Sequence, residues 1–306
     1  MSFSSEVKEE LSKLNNLAKK EVVKFELLGY LMTNHVALEE EKTKKQNLKL
    51  KFSTENEYNI NRFSKLLSNL QLTNHEIQIV GKTFSISLPI PELEEVKYSQ
   101  KEILIDLKKI EQHMENREDL QKALIRGSFL GGGSISNPKS NYHLEIIFSQ
   151  IENIGLVSKI LENYDIHLKT LLQKQNVSLY AKEGEEISKY LAFIGANQSV
   201  LKFEDIRVYR EIRNNVNRKV NCETANLNKT VNSALKQIQD IQYLKEKKGL
   251  DKLSKSLQEM AKVRVLHPEA SLLELGELLT VKLGKSGVNH RLKALENIAE
   301  ELRKNE

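Results

Sequence analysis

The sequence predicts an α+β protein: a duplicated αββαββα repeat with pseudo-twofold symmetry, followed by an all-α helix-turn-helix domain. Three observations predict it. Two helical segments with a glycine at mid-helix, around Gly29 and Gly127, are each followed by alternating strand-like runs and a second helix. Beyond residue 200 only helical periodicity remains. Within that last third, a start signal and a turn separate two short amphipathic helices.

The first copy opens with Leu27-Leu28-Gly29-Tyr30-Leu31-Met32-Thr33-Asn34-His35 on a helix over residues 24–35. A strand over residues 47–52 follows and ends in Phe52-Ser53, 23 residues after Gly29. The next helix carries Ser64-Lys65-Leu66-Leu67, and Thr54 with Glu57 has the spacing of a capping box at its start. Strands over 76–80 and 83–88 come next; Pro89 and Pro91 stop the second. A polar helix around residues 101–116 links the copies.

The second copy repeats the order: a helix over 123–134, a strand over 142–148 ending in Phe148-Ser149, 21 residues after Gly127, then Ser158-Lys159-Ile160-Leu161 on a helix. Strands over 167–172 and 177–181 and a closing helix complete it. Ala123, Gly127 and Gly131 recur every four residues, as Gly29 and Thr33 do in the first copy, so each leading helix presents a smooth stripe. Small residues at this spacing let two helix axes approach until backbones touch. The two copies are expected to meet there. The run Gly131-Gly132-Gly133 follows a helix instead of opening one and fits neither GxGxxG nor GxxxxGK, so it reads as a helix end and turn rather than a phosphate cradle.

With 306 residues, 39% hydrophobic and 29% charged, the chain has the make-up of a soluble protein of two or three domains, drawn at residues 1–116, 117–220 and 221–306. No run reaches the roughly 18 uncharged apolar residues of a membrane span, and the N-terminus lacks the order of a signal peptide, so a cytoplasmic location is expected. The lone Cys222 has no partner for a disulfide and no metal-ligand spacing around it; neither metal nor cofactor is expected. The net charge of +5 is unevenly spread: residues 200–306 hold 21 Lys and Arg against 15 Asp and Glu, the rest 26 against 27. A basic C-terminal third suits a nucleic-acid partner.

Residues 198–218 read as a helix on which Arg207, Arg210 and Arg213 form a basic ribbon, either candidate phosphate contacts or a surface paired with Glu204, Asp205 and Glu211. The asparagine-rich stretch 217–232 reads as a connector entering a new helical domain near Asn221. Helices over 251–266, 271–279 and 286–302 follow, Pro268 stopping the first. Ser271 and Glu274 form a capping box on the second, and Gly276 would let two crossing helices approach. On the third, Val288, Leu292 and Leu295 share one face, leaving Asn289, His290, Arg291 and Lys293 mostly outward. A helix-turn-helix over about 271–303 presents such side chains to the major groove of double-stranded DNA. Arg291 and Asn289 are candidates for reading bases, Lys285, Ser286 and Lys293 for phosphates, and His290 for either. A plain helical hairpin with a basic surface is the alternative.

The paired glycine-bearing helices followed by α+β repeats resemble the LAGLIDADG homing endonucleases. In that family an acid at the eighth motif position of each helix holds divalent metal at the scissile phosphates, as hard cations require. Here Asn34 and Gly132 occupy those positions, so the resemblance implies a nuclease-like scaffold without catalytic residues, and no enzyme. Glu39, Glu40 and Glu41 lie nearby, past the helix end, and read as a solvated face.

Together with the helix-turn-helix, nearly the whole chain resembles the WhiA family of bacterial regulators. The resemblance is carried by Arg126-Gly127-Ser128-Phe129-Leu130-Gly131-Gly132-Gly133-Ser134-Ile135-Ser136, by Asn221-Cys222-Glu223-Thr224-Ala225-Asn226-Leu227-Asn228-Lys229-Thr230-Val231, and by Lys285-Ser286-Gly287-Val288-Asn289-His290-Arg291-Leu292. It implies sequence-specific transcriptional control in cell division and chromosome segregation, or in sporulation among sporulating relatives. Promoter DNA and proteins of the transcription machinery are the implied partners, and the nucleoid the implied site of action. A metal-dependent endonuclease, and a repeat region serving only as a protein-interaction module, are the competing readings.

Overall fold

The structure, a computed structural model, describes residues 2–40, 48–99, 102–172 and 176–305. It divides into two compact units, Met1–Glu211 and Ile212–Glu306.

In the first unit, α1 (Phe3–Ser12) precedes the duplication and had no counterpart in the sequence reading. The first copy is α2 (Lys20–Leu31), β1 (Val36–Glu40), β2 (Leu48–Thr54), α3 (Glu57–Asn69), β3 (Glu76–Val80) and β4 (Thr83–Pro89). A ribbon of β5 (Val96–Tyr98) and β6 (Ile103–Ile105) and the helix α4 (Leu107–Met114) lead to the second copy. That copy is α5 (Glu118–Gly132), β7 (Gly133–Ile135), β8 (Leu144–Phe148), α6 (Ile151–Glu162), β9 (Lys169–Leu172), β10 (Val177–Ala181) and α7 (Gly184–Ile194). The two antiparallel sheets have matching strand orders, β1-β2-β4-β3 and β7-β8-β10-β9, which is the duplication seen in three dimensions.

Strand alternation turns Leu50, Phe52, Ile86 and Leu88 of one sheet, and Leu144, Ile146, Phe148 and Leu179 of the other, into a core shared with α2 and α5. The opposite sheet faces are polar and charged: Ser85 and Ser87 lie beside Lys49, Lys51, Glu39 and Glu76 in one, with Lys51 3.0 Å from Glu39, and Ser178, hydrogen-bonded to Glu145, beside Tyr180 and Lys169 in the other.

Three local expectations change. The N-cap of α3 is Asn56, whose side chain accepts from Asn59 N; Thr54 instead accepts from Asn56 N, so no Thr54–Glu57 capping box forms. The linking segment is half strand, because Ile103-Leu104-Ile105 pairs with Val96-Lys97-Tyr98 before Asp106 caps a shorter helix. The segment past the end of α2 is strand, β1, which carries Glu39, exposed as expected, and Glu40, while Glu41 and Asn47 lie outside the described residues.

The helix α8 (Asn197–Lys247) is continuous. Its start is capped from a distance: the Glu10 carboxylate accepts from the N–H groups of Gln198 and Ser199 at 2.7 and 2.9 Å. The connector expected near Asn221 is therefore helical; asparagine lowers helix propensity without forbidding a helix.

In the second unit, the end of α8 packs Ile241 and Leu244 against α9 (Lys255–Leu266), α10 (Leu272–Glu277) and α11 (Lys285–Lys304). Val288, Leu292, Leu295 and Ala299 form the buried face of α11. The α9–α10 loop at Pro268 is held by Arg264, buried, which donates to the carbonyls of Pro268 and Ala270 at 2.9 and 2.7 Å. Ser271 and Glu274 form both halves of the expected capping box. Gly276 does permit a close approach, but of the turn: a Cβ there would lie 1.9 Å from Leu283 O.

Candidate functional site: the helix pair and the nucleic-acid interface

Two places hold the predicted site residues. The first is the contact of α2 with α5. A Cβ on Gly29 would lie 2.2 Å from Leu124 O, and one on Gly127 2.0 Å from Glu26 O, so the backbones touch as the small-residue stripes predict. Beneath this contact Glu26, fully buried, accepts from Arg62 at 2.7 Å and from Arg126 at 2.9 Å, one arginine from each copy. Burial alone would raise its pKa, but the Arg126 and Arg62 charges and hydrogen bonds outweigh this and hold the carboxyl below its usual range.

At the C-terminal end of the pair stand the two positions where the nuclease resemblance expects acids. Asn34 is exposed just past α2. Gly132 ends α5, and a Cβ there would lie 2.4 Å from Ile147 O, so no side chain fits without moving β8. The cleft bordering Gly131 is lined by Lys8, His35, Lys82 and the hydroxyls of Ser4, Ser5 and Thr54, with Glu55 the carboxylate at its edge. Burial lowers Lys8 to about 8. Burial likewise lowers the His35 imidazole, with the Lys8 charge adding, while its Nδ1 donates to Gly131 O at 2.8 Å. Lys8, Lys82 and His35 thus gather beside Gly131, while the neighbouring cleft that includes Asn34 is edged by the Glu102 carboxylate. Among the described residues, no group of three His, Cys, Asp or Glu side chains is placed to share a metal ion.

The second place is the N-terminal half of α11. Lys285, Ser286, Asn289, His290 and Lys293 are all exposed, and Gly284 as N-cap brings no side chain to the helix start. The free N–H groups and the positive end of the helix dipole there favour an anion. Arg291 departs from the expected outward orientation. Its side chain is 20% exposed, and its Nη1 is buried without a hydrogen bond, 3.9 Å from Glu259 of α9. Glu259 also accepts from Thr280 N at 2.6 Å, at the head of the turn. Arg291 is thus drawn toward the group that fixes the turn between the two helices. The signal was the i+3 spacing from Val288, which places Arg291 at the border of the buried face.

The basic ribbon is divided in its contacts. Arg207 pairs with Glu204 at 2.9 Å; Arg210 donates to Pro138 O at 2.6 Å and stacks 4.6 Å from the Tyr142 ring; Arg213 is exposed. Arg264 and Glu10 were missed by sequence reading, since their partners are backbone groups that no side-chain pattern reveals.

Residues 121–213 match the WhiA LAGLIDADG-like domain and residues 216–299 the WhiA C-terminal HTH domain. A protein of Clostridium tetani named "Probable cell division protein WhiA" is 38% identical, the alignment covering 99% of each chain. One of the same name from Thermoanaerobacter is 48% identical over 63% of this chain and 61% of its own. The crystal structure of full-length DUF199/WhiA from "Thermatoga maritima" is 29% identical, with a TM-score of 0.57 over 98% of this chain and 99% of that one.

Proposed function

Because the chain belongs to the WhiA family, with a LAGLIDADG-like region and an HTH domain, we propose that it is a sequence-specific DNA-binding transcriptional regulator that acts in cell division and chromosome segregation. The observation that carries this reading is the row of exposed polar and cationic side chains on the first turns of α11, braced by α9 and α10. Asn289 reads an adenine edge, His290 a base or a phosphate, and Lys285, Ser286 and Lys293 take phosphates beside the helix N-terminus. Arg291 reaches a guanine only by leaving Glu259, and otherwise holds the turn. Arg213 and, at the margin, Arg207 and Arg210 add phosphate contacts. The sites are promoter DNA at the nucleoid, with proteins of the transcription machinery as further partners; the relatives' name supports the role in division.

The repeat unit is, in this reading, a scaffold that does not cut. A metal-dependent endonuclease needs clustered carboxylates, whereas Asn34 and Gly132 supply none and the Lys8 side chain lines the cleft beside Gly131.

The test is a selection of bound sequences from a random duplex pool with the full chain, followed by gel shifts on the enriched site. Asn289→Ala weakens specific binding by about 1–3 kcal/mol and relaxes one position of the site. Unchanged affinity and preference would remove Asn289 from the reading role.

A further inference from the structure

In the second unit, every residue of α8 from Ile212 to Ser233 is exposed. On a helix of 3.6 residues per turn, Asn214, Asn217, Asn221, Asn228 and Asn232 fall within about 60° of arc. Ala225 takes the remaining place in that row, and Arg218, Lys229 and Lys236 flank it along one side. The one acidic residue from 212 to 236, Glu223, falls on the opposite side, among Ile212, Val216, Val220 and Leu227. None of the five asparagine side chains has a hydrogen-bond partner among the described residues.

A solvated helix face has no need of such a row. Asparagine is among the poorer helix formers, because its amide competes for the backbone. An exposed face built only for solubility would use Ala, Glu, Lys or Gln at those positions. The row therefore weakens the helix that carries it, and it keeps five bifunctional amides free on one side, with Arg218 and Lys229 along one edge and Thr224 and Val231 along the other.

We propose that this face of α8 is a second DNA-reading element, separate from α11, which lies in the major groove of duplex DNA. This rests on the DNA-binding function proposed above and names a further site for it. The chemistry fits on three counts. An α-helix about 10–12 Å across fills a major groove about 12 Å wide. Asn side chains bond both N6 and N7 of adenine, so a row of them selects A·T pairs on successive steps. Arg218 and Lys229 sit along one edge of the row, where one phosphate backbone runs, while Lys236 at its end is paired with Glu296 and Glu300 of α11. Continuous helices that lie in the groove in this way are an established mode of DNA reading.

The experiment uses the full chain with Asn217→Ala, Asn221→Ala and Asn228→Ala combined, set beside the wild type in the same selection from a random 40-base-pair duplex pool. Alanine raises helix propensity, so a merely structural role for these residues gives a more helical protein with unchanged binding. The proposal expects the helix content by circular dichroism to hold or rise while affinity for the wild-type site falls at least 10-fold, with A·T positions lost from the enriched sequence. Arg218→Gln with Lys229→Gln lowers affinity across all sequences and flattens its salt dependence. If the triple variant enriches the same site with the same affinity, the α8 assignment is overturned while the role of α11 stands. If the wild type enriches no sequence, the DNA-reading function itself falls, and the α8 site with it.

Discussion

Glu26 stands between Arg62 and Arg126: it is fully buried, and each arginine brings a different copy of the repeat to it. A neutral amide in its place leaves two buried guanidiniums without a counter-charge, which costs about 3–5 kcal/mol. Glu26→Gln should lower the thermal midpoint of the first unit accordingly, read by the near-ultraviolet signal of its tyrosines. The pH dependence has a fixed sign. Because the folded carboxyl titrates below its usual value, the stabilisation is present above the unfolded-state pKa near 4.3 and is lost as pH falls through the folded one. Stability of the wild type therefore drops on acidification below about pH 4.3, and the variant shows less of that drop. The sequence offered no route to this triad. Glu26, Arg62 and Arg126 are 36 and 64 residues apart and look like ordinary surface charges on amphipathic helices.

At the scale of elements, the pairing of α2 with α5 was legible because its signal is steric and local. Glycine at a four-residue spacing has few other uses on a helix, and the backbone distances at Gly29 and Gly127 bear it out. Gly127→Ala places a methyl group against Glu26 O with no side chain able to give way, and should cost about 3 kcal/mol or more; urea unfolding of the purified variant measures it. The continuity of α8 was not legible, since asparagine signals a cap in most settings, and here the helix continues through seven of them between residues 214 and 232. Strands read from alternation were placed to within two residues in β3, β4, β8, β9 and β10. The three-residue strands β5, β6 and β7 are too short for alternation to show. The helix α11 was found from its apolar face, but that face could not say where its border residue Arg291 turns.

For the whole molecule, the features that matter are the cores of the two units and the bare stretch of α8. Burial, not intrinsic propensity, supplies most helix stability in proteins, and residues 212–233 bury nothing within the second unit. Their hydrogen bonds should open with a free energy far below that of either core. Brief trypsin treatment is expected to cut first at Arg213, Arg218, Lys219 or Lys229 and to leave two fragments that each keep their folded signals; DNA should protect those bonds if α8 lies in the groove. Initial cleavage inside either core would contradict this.

Gly132 bears on what this scaffold can become. Its missing side chain is a backbone commitment, since the space an acid would need is occupied by the Ile147 carbonyl of β8, a strand paired on both sides. A carboxylate there has no route by a single substitution: the strand must first move, and the opposing Asn34 must change as well. Mutational drift can alter the side chains around this end of the helix pair far more readily than it can install that acid.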